Sequence, residues 1–238
     1  MNRSLPWHMG VLIPARNEEK LLPRCLQSVL LAKASVGASV SVDIVVVADS
    51  SVDRTLEIAK NILLSNGIVR GISAGAVGPA RAFAAQLLLG RYVGSWSRCW
   101  LANTDADCIV PPDWLIRQLK LASSGVEAIA GTVNVDSFEE HGPEVPARFR
   151  SSYRIDPDGG HPHVHGANLG VRADSYLRAG GWGNLNTAED HDLWRRLADT
   201  GALLHSTNRL EVRTSGRRLG RAPRGFAAAL AAHNEDAA

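Results

Sequence analysis

Apolar residues run along the first half of the chain in two alternating rhythms. His8 to Ala15 contains Met-Gly-Val-Leu-Ile-Pro, a short buried-strand pattern ended by Pro14. Asn17 is placed to cap a following helix, with Leu21, Leu22, Cys25, Leu26 and Val29 on one face. Val42 to Ala48 is an almost unbroken β-branched run, which suits a strand covered on both sides, as in a parallel sheet. A helix from about Asp53 to Leu64 follows, with Leu56, Ala59 and Leu63 facing the sheet. The cycle then repeats: a weak strand at Ile68 to Ile72, a helix from Pro79 to Leu89 with Ala80, Phe83, Ala84 and Leu87 inward, a short strand at Cys99 to Ala102, a helix at Pro112 to Leu121 and a strand at Val126 to Val133. This alternation predicts an α/β fold with a mostly parallel central sheet flanked by helices.

Between Asp136 and Pro162 the rhythm breaks. Prolines, glycines and charges dominate, and the expectation is a long loop with one short helix. Beyond it the pattern predicts a strand at Val164 to Val171, a short helix at Ala173 to Ala179, a helix at Ala188 to Thr200 and a last strand at Ala202 to His205. A basic stretch, Arg217 to Arg224, precedes a short apolar helix at Phe226 to Ala232. The expected organisation is one domain over 1–238, with halves at about 8–107 and 108–215 and a tail at 216–238.

Composition narrows the function. A net charge of +2 over 238 residues argues against nucleic acid or an acidic membrane as the main partner. Cys25, Cys99 and Cys108 are odd in number and lack metal-ligand spacing, as expected of reduced thiols in a cytoplasmic protein. The N-terminus does not read as a signal peptide, and no apolar run is long enough to span a bilayer. Peripheral contact with the inner face of a membrane stays open through the basic cluster Arg213, Arg217, Arg218 and Arg221, which could equally close over phosphates or face solvent.

The carboxylates are the informative feature. In doubly wound sheets ligands bind at the carboxyl ends of the strands. Glu18, Asp49, Asp105 and Asp107 all follow predicted strands. Asp105-Ala-Asp107 places two carboxylates on one side of an extended segment, where they can hold a hard divalent cation such as Mg²⁺ or Mn²⁺, or a cation and a sugar hydroxyl. A turn and a helix cap are the structural alternative. Asp190 shares a helix face with Leu193, Trp194 and Leu197, which suits a general base at the edge of a buried stripe. Thr187 three residues earlier also resembles a capping box, and local sequence favours that reading. His161, His163 and His165 alternate and would face one way in a strand, as pocket-lining imidazoles or a metal cluster. His205, at the end of the last predicted strand, is a further candidate metal ligand. Arg81 near a helix start suits a diphosphate, unless it is simply solvated.

In order, Pro14-Ala15-Arg16-Asn17-Glu18-Glu19, Val-Val-Val-Ala-Asp49-Ser-Ser-Val-Asp53, Asp105-Ala-Asp107, Gly166-Ala-Asn168-Leu-Gly170, Gly180-Gly181-Trp182 and Ala-Glu189-Asp190 resemble the family 2 glycosyltransferases of GT-A fold, over about residues 9 to 215. The resemblance implies that Pro14, Ala15, Arg16, Asn17 and Glu18 line the nucleobase and that Asp49 binds base or ribose. It implies Asp105 at the ribose or donor sugar, Asp107 as the main metal ligand and Asp190 as base in an inverting displacement. His165, Asn168, Trp182 and Glu189 are expected on the acceptor side. The donor would be a nucleotide sugar, UDP- or GDP-linked, and the acceptor a small molecule, a lipid-linked group or a glycan. Two departures stand out. Ala48-Asp49-Ser50 replaces the frequent pair of aspartates and glycine, which leaves the donor base open. No Gln-x-x-Arg-Trp follows Asp190, which argues for a single transfer rather than processive synthesis. Competing readings are a retaining GT-A transferase, a sugar nucleotidyltransferase, disfavoured because 14–20 lack a Gly-rich basic loop, and an inactive nucleotide-sugar-binding scaffold.

Overall fold

A computed structural model of the chain describes residues 6–221 and 225–234. Seven strands form one sheet: β1 (His8–Ala15), β2 (Ser41–Asp49), β3 (Gly67–Ile72), β4 (Cys99–Asn103), β5 (Ala128–Val135), β6 (Leu169–Arg172) and β7 (Leu204–Thr214). Their order is β3-β2-β1-β4-β6-β5-β7. All neighbours pair in parallel except β6, which lies antiparallel between β4 and β5. The helices are α1 (Leu22–Ser35), α2 (Thr55–Leu63), α3 (Val77–Leu89), α4 (Trp114–Ser123), α5 (Val145–Ser152), α6 (Ala173–Arg178), α7 (Glu189–Asp199) and α8 (Phe226–Ala232). Among the described residues no helix is long and apolar enough to cross a membrane.

The inner strands are apolar on both faces because two layers of helix cover them. Met9, Val11, Ile13, Ile44 and Val46 pack with α1, α2 and α4, while Leu12, Val45, Val47 and Leu101 pack under α3 and α7. β1 has β2 on one side and β4 on the other, so the strand order reverses at β1 and opens a crevice at the carboxyl ends of these three strands. The three cysteines are free and buried.

Several boundaries differ from the sequence expectation. β7 is far longer than Ala202 to His205. Charged residues alternate outward with Leu210, Val212 and Thr214 inward, and its pairing with β5 slips between Gly131 and Thr132, which disguised the period. β6 begins at Leu169, after a 3-10 turn at Gly166–Asn168, so the three alternating histidines precede the strand. α3 turns a different face inward: Ala80, Arg81, Ala84, Ala85 and Leu88 are buried, while Phe83 and Leu87 are half-buried. The one helix expected within 136–162 is α5. α8 docks on its own chain: Phe226 meets Phe149 edge-on at 5.9 Å, and Ala227 and Leu230 are buried. Arg224, at the end of the basic stretch, and residues 1–5 of the N-terminal reading lie outside the described residues.

Candidate functional site

The loops after β1 and β2 are stitched together by side chains. Asn17 is not a helix cap. Its φ is +53°, its amide N–H donates to Ser51 Oγ at 3.1 Å, and its Oδ1 accepts the Val52 N–H at 2.9 Å. Glu18 N–H donates to Thr55 Oγ1 at 2.7 Å, and Glu19 N–H to Asp53 Oδ2 at 3.1 Å. Burial works against ionising Asp53, but hydrogen bonds from Thr55 and Glu19 hold its carboxyl below the ordinary range. Asp49 Oδ1 accepts the N–H groups of Ala74 and Gly75 at 2.7 and 2.9 Å, which fixes the turn before α3. Arg16 Nη1 reaches the Gly75 carbonyl at 3.2 Å.

These loops and the end of β4 enclose a cavity of about 630 Å³. Pro14, Ala15, Arg16, Asn17, Glu18, Asp49, Asp105 and Asp107 all line it. Arg217, Arg221, Phe226 and Ala227, from the segments after β7, line the opposite wall. Asp105, Asp107 and Cys108 each offer one ligand atom, all within 4.8 Å of one another. Burial raises the Cys108 thiol well above its ordinary range, so the donors suited to a hard cation are the two carboxylates.

Each carboxylate already has a guanidinium. Arg81 Nη2 donates to Asp105 Oδ1 at 2.6 Å, and Arg81 Nε to Glu189 Oε1 at 3.4 Å. Arg217 Nη2 donates to Asp107 Oδ2 at 2.8 Å and lies 2.7 Å from Glu18 Oε1, while its Nη1 donates to Glu18 Oε2 at 3.0 Å. Burial raises the Asp107 carboxyl to about 6, against the pull of Arg217 and with help from Asp105 and Glu18. Burial opposes charge on both guanidinium groups, but their carboxylates outweigh it and keep them protonated.

Arg81 corrects an expectation. It is 2% exposed, lies behind Asp105 rather than in the cavity, and packs with its guanidinium carbon 5.3 Å from the centre of a Trp182 ring. Glu189 and Trp182 are each 6% exposed and form the far side of this buried cluster, so neither presents an acceptor surface. Burial pushes the Glu189 carboxyl up, opposed by Arg81. Asn168 is also structural. Its Oδ1 accepts the Trp114 indole N–H at 2.9 Å, and its Nδ2 donates to the Thr132 and Leu210 carbonyls at 2.9 and 2.8 Å. That amide plugs the slipped ladder between β5 and β7, and a Cβ at Gly131 would sit 2.2 Å from it.

Asp190 is not part of a capping box. The residue before α7 is Ala188, at φ +58°, with no side-chain cap. Asp190 Oδ2 accepts the Gly166 N–H at 2.8 Å and Oδ1 accepts the His191 N–H at 2.8 Å. Gly166 lies so close to Arg81 that a Cβ there would stand 2.5 Å from Nη2. Asp190 is therefore pinned beside the Asp105–Arg81–Glu189 chain, outside the cavity lining. His165 is close enough to Asp190 to feel its charge, yet burial pushes the imidazole down to about 4. Its Nε2 lies 2.9 Å from Tyr153 Oη. His161, His163 and His165 stack 5.9 and 6.1 Å apart, so their nitrogens do not converge on one point. His205 stands exposed near the start of β7, while Thr214 at the strand's other end lies 3.5 Å from Asp107. At ~3.3 Å per residue, strand length separates His205 from the carboxylates by roughly 20–30 Å, and it is no ligand there. Sequence reading named Arg217 only as one of a basic cluster and passed over Thr214, because a mis-sized β7 left both without an address.

Known proteins agree with this architecture. Among solved structures, the chain is similar to the mannosyltransferase PcManGT from Pyrobaculum calidifontis in complex with GDP-Man and Mn²⁺, with a TM-score of 0.66 and 19% identity over 98% of this chain and 70% of that one. It is similar to TarS of S. aureus, with a TM-score of 0.62 and 16% identity over 87% of this chain. It spans 36% of that TarS chain. A shorter TarS chain in complex with UDP gives a TM-score of 0.59 at 15% identity, over 89% of this chain and 61% of that one. At such identities the likeness is one of fold, and the fold is GT-A. No curated protein matches the sequence. The model of glycosyl transferase family 2 matches residues 10–178, more than half of the 238 residues, and the chain belongs to that family of glycosyltransferases.

Proposed function

We propose that the chain transfers one sugar from a UDP- or GDP-linked donor to an acceptor hydroxyl, with inversion and with the help of Mg²⁺ or Mn²⁺. One observation carries the reading: Glu18, Asp49, Asp105 and Asp107 converge from three strand ends on one cavity of nucleotide-sugar size, with Asp190 pinned beside it. Solved structures of this fold hold GDP-Man with Mn²⁺ and UDP, which supports both the donor class and the cation.

The loop Pro14–Glu18 and Asp49 bind base and ribose. The second oxygen of Asp49 is the acceptor left over after Oδ1 has fixed the Ala74–Gly75 turn. Asp107 is the main metal ligand and Asp105 is shared between metal and donor, with Arg81 behind it setting its angle. A bound divalent cation supplies charge neutralisation for the departing diphosphate. Asp190 takes the proton from the acceptor hydroxyl as that oxygen bonds to the anomeric carbon. The bond from that carbon to the diphosphate oxygen breaks on the opposite face. Hydrogen bonds from Gly166 and His191 hold the Asp190 carboxylate in position for this step. Phe226 and Ala227 complete the lining of this cavity.

The test is thermal stabilisation by a panel of nucleoside diphosphates and their sugars, with and without Mn²⁺, on wild type and Asp107→Ala. Metal-dependent stabilisation by one nucleotide, lost in Asp107→Ala, names the donor base and supports the reading. No shift with any nucleotide removes the donor site and leaves a scaffold. For the chemical step, Asp190→Asn should lower kcat by at least about 100-fold with donor affinity retained. The product's anomeric configuration by NMR separates inversion from retention.

A further inference from the structure

Arg217 stands where a cation would have to work. Its guanidinium grips Glu18 with both terminal nitrogens and reaches Asp107 Oδ2 at 2.8 Å. Its backbone is fixed independently of that grip. The neighbouring Gly216 N–H donates to Asp136 Oδ1 at 2.9 Å, and the Gly216 carbonyl lies 2.8 Å from His141 Nε2. Four residues on, Arg221 Nη2 donates to the Asn17 carbonyl at 2.8 Å and its Nε lies 3.7 Å from Glu18 Oε1. The side chain can therefore leave Asp107 while its anchor stays, and Arg221 remains beside Glu18 to limit the charge left uncovered.

Each guanidinium at the site is shared by two carboxylates, so Asp107 has no cation to itself. Asp105 and Glu189 share Arg81, and Glu18 and Asp107 share Arg217. A divalent cation arriving alone meets a guanidinium on its principal ligand, and the two like charges repel across a few ångströms in a partly buried site. A diphosphate changes this, because it offers Arg217 a doubly anionic fork partner that matches guanidinium geometry.

We propose that Arg217 holds the cation's place on Asp107 in the free protein and passes to the donor's diphosphate when metal and donor bind together. This rests on the donor and metal reading above. Metal alone then binds weakly, metal and nucleotide bind cooperatively, and Arg217 carries the coupling. By linkage, whatever factor nucleotide adds to metal affinity, metal adds to nucleotide affinity.

The experiment measures free Mn²⁺ by electron paramagnetic resonance during titration of wild type, Arg217→Gln and Arg217→Lys, first without nucleotide and then with UDP or GDP. The expected result without nucleotide is that Arg217→Gln binds Mn²⁺ about tenfold more tightly than wild type. In wild type the nucleotide should tighten Mn²⁺ binding by about tenfold or more, and in Arg217→Gln that factor should fall towards one. Arg217→Lys keeps the charge without the fork, and its coupling should lie between the two. If Arg217→Gln fails to fold, judged by circular dichroism, the lysine variant decides through the same ordering. Mn²⁺ affinity unchanged or weakened in the variants, with nucleotide still bound, overturns the proposal and leaves the transferase site standing. Absence of nucleotide binding in every protein, with or without Mn²⁺, overturns the donor site and this proposal with it.

Discussion

Asn168 and Arg81 show how a buried polar residue near the site can hold the fold together through its protein partners. Asn168 makes three hydrogen bonds with fully buried partners at the one place where the β5–β7 ladder slips. Asn168→Ala leaves the Trp114 N–H and two carbonyls without this partner, and each orphan costs about 1–3 kcal/mol. The expected loss is about 3 kcal/mol or more, read as a lower urea midpoint, with donor-induced stabilisation surviving in the folded fraction. A loss below about 1 kcal/mol would mean that water or backbone replaces the amide. Arg81 is more severe, because its removal uncovers the buried Glu189. Arg81→Met should cost about 3–5 kcal/mol, and adding Glu189→Gln should recover part of it, since a neutral amide needs no counter-ion. A double-mutant cycle checks this, and strictly additive costs would contradict the shared-charge picture. The motif order pointed to Asn168 and a place near a helix start pointed to Arg81, but neither gave the buried partners that the structure shows. Pattern reasoning puts an arginine outside and an asparagine at a ligand, whereas here a charged cluster and a ladder defect are the partners.

At the scale of elements, the first half of the fold was legible because β1, β2 and β4 are dense apolar runs and α1 and α2 keep a 3.6-residue period, although β3 is weak and α3 turned a different face inward. Loop chemistry at the strand ends was equally readable: all four carboxylates expected around the donor line one cavity. The second half was not. β7 carries Asn208, Arg209, Glu211 and Arg213 on its outer face across a slipped register, so no local window shows a clean alternation. The histidine stretch alternates like a strand but lies before β6, held by ring stacking among His161, His163, His165 and Tyr153 instead of a ladder. The start of α7 hid a further feature. Ala188 precedes the helix in a left-handed conformation, at φ +58°, ψ +26°. An alanine there carries Cβ strain of about 1–2 kcal/mol that glycine lacks. Ala188→Gly gives some of this back as unfolded-state entropy, so the expected net gain is about 0.5–1 kcal/mol, seen as a raised Tm. Ala188→Val should cost more than that gain. If glycine destabilises instead, the left-handed conformation at Ala188 carries no strain to relieve.

Across the whole molecule, two buried groups pull stability in opposite directions with pH. Burial pushes the His165 imidazole down to about 4 from its ordinary 6.5. Between those values the unfolded chain takes up a proton that the folded protein refuses. This contribution is full above pH 6.5 and is lost as pH falls, by about 3 kcal/mol at pH 4. Burial raises Asp107 to about 6 from 3.8. Here the folded protein keeps a proton that the unfolded chain has released, so stability rises as pH falls from 6 towards 4. In the metal-free wild type the two slopes oppose each other, and single variants should unmask them. His165→Gln removes the acid-labile part, so its stability relative to wild type should improve from pH 7 to pH 4.5. Asp107→Asn removes the compensating part, so its stability relative to wild type should worsen over the same range. Urea unfolding of the three proteins at pH 7, 5.5 and 4.5 with EDTA present measures both, and three parallel profiles would refute the assignment. Saturating Mn²⁺ with nucleotide adds a final constraint. A metal-bound Asp107 must be ionised, so ligand stabilisation should fade below about pH 6 in the wild type as protons compete for that carboxylate. Under the proposed metal reading, the cavity that uses the Asp107 charge is the one whose burial makes that charge costly, and the pH profile reads both effects in one protein.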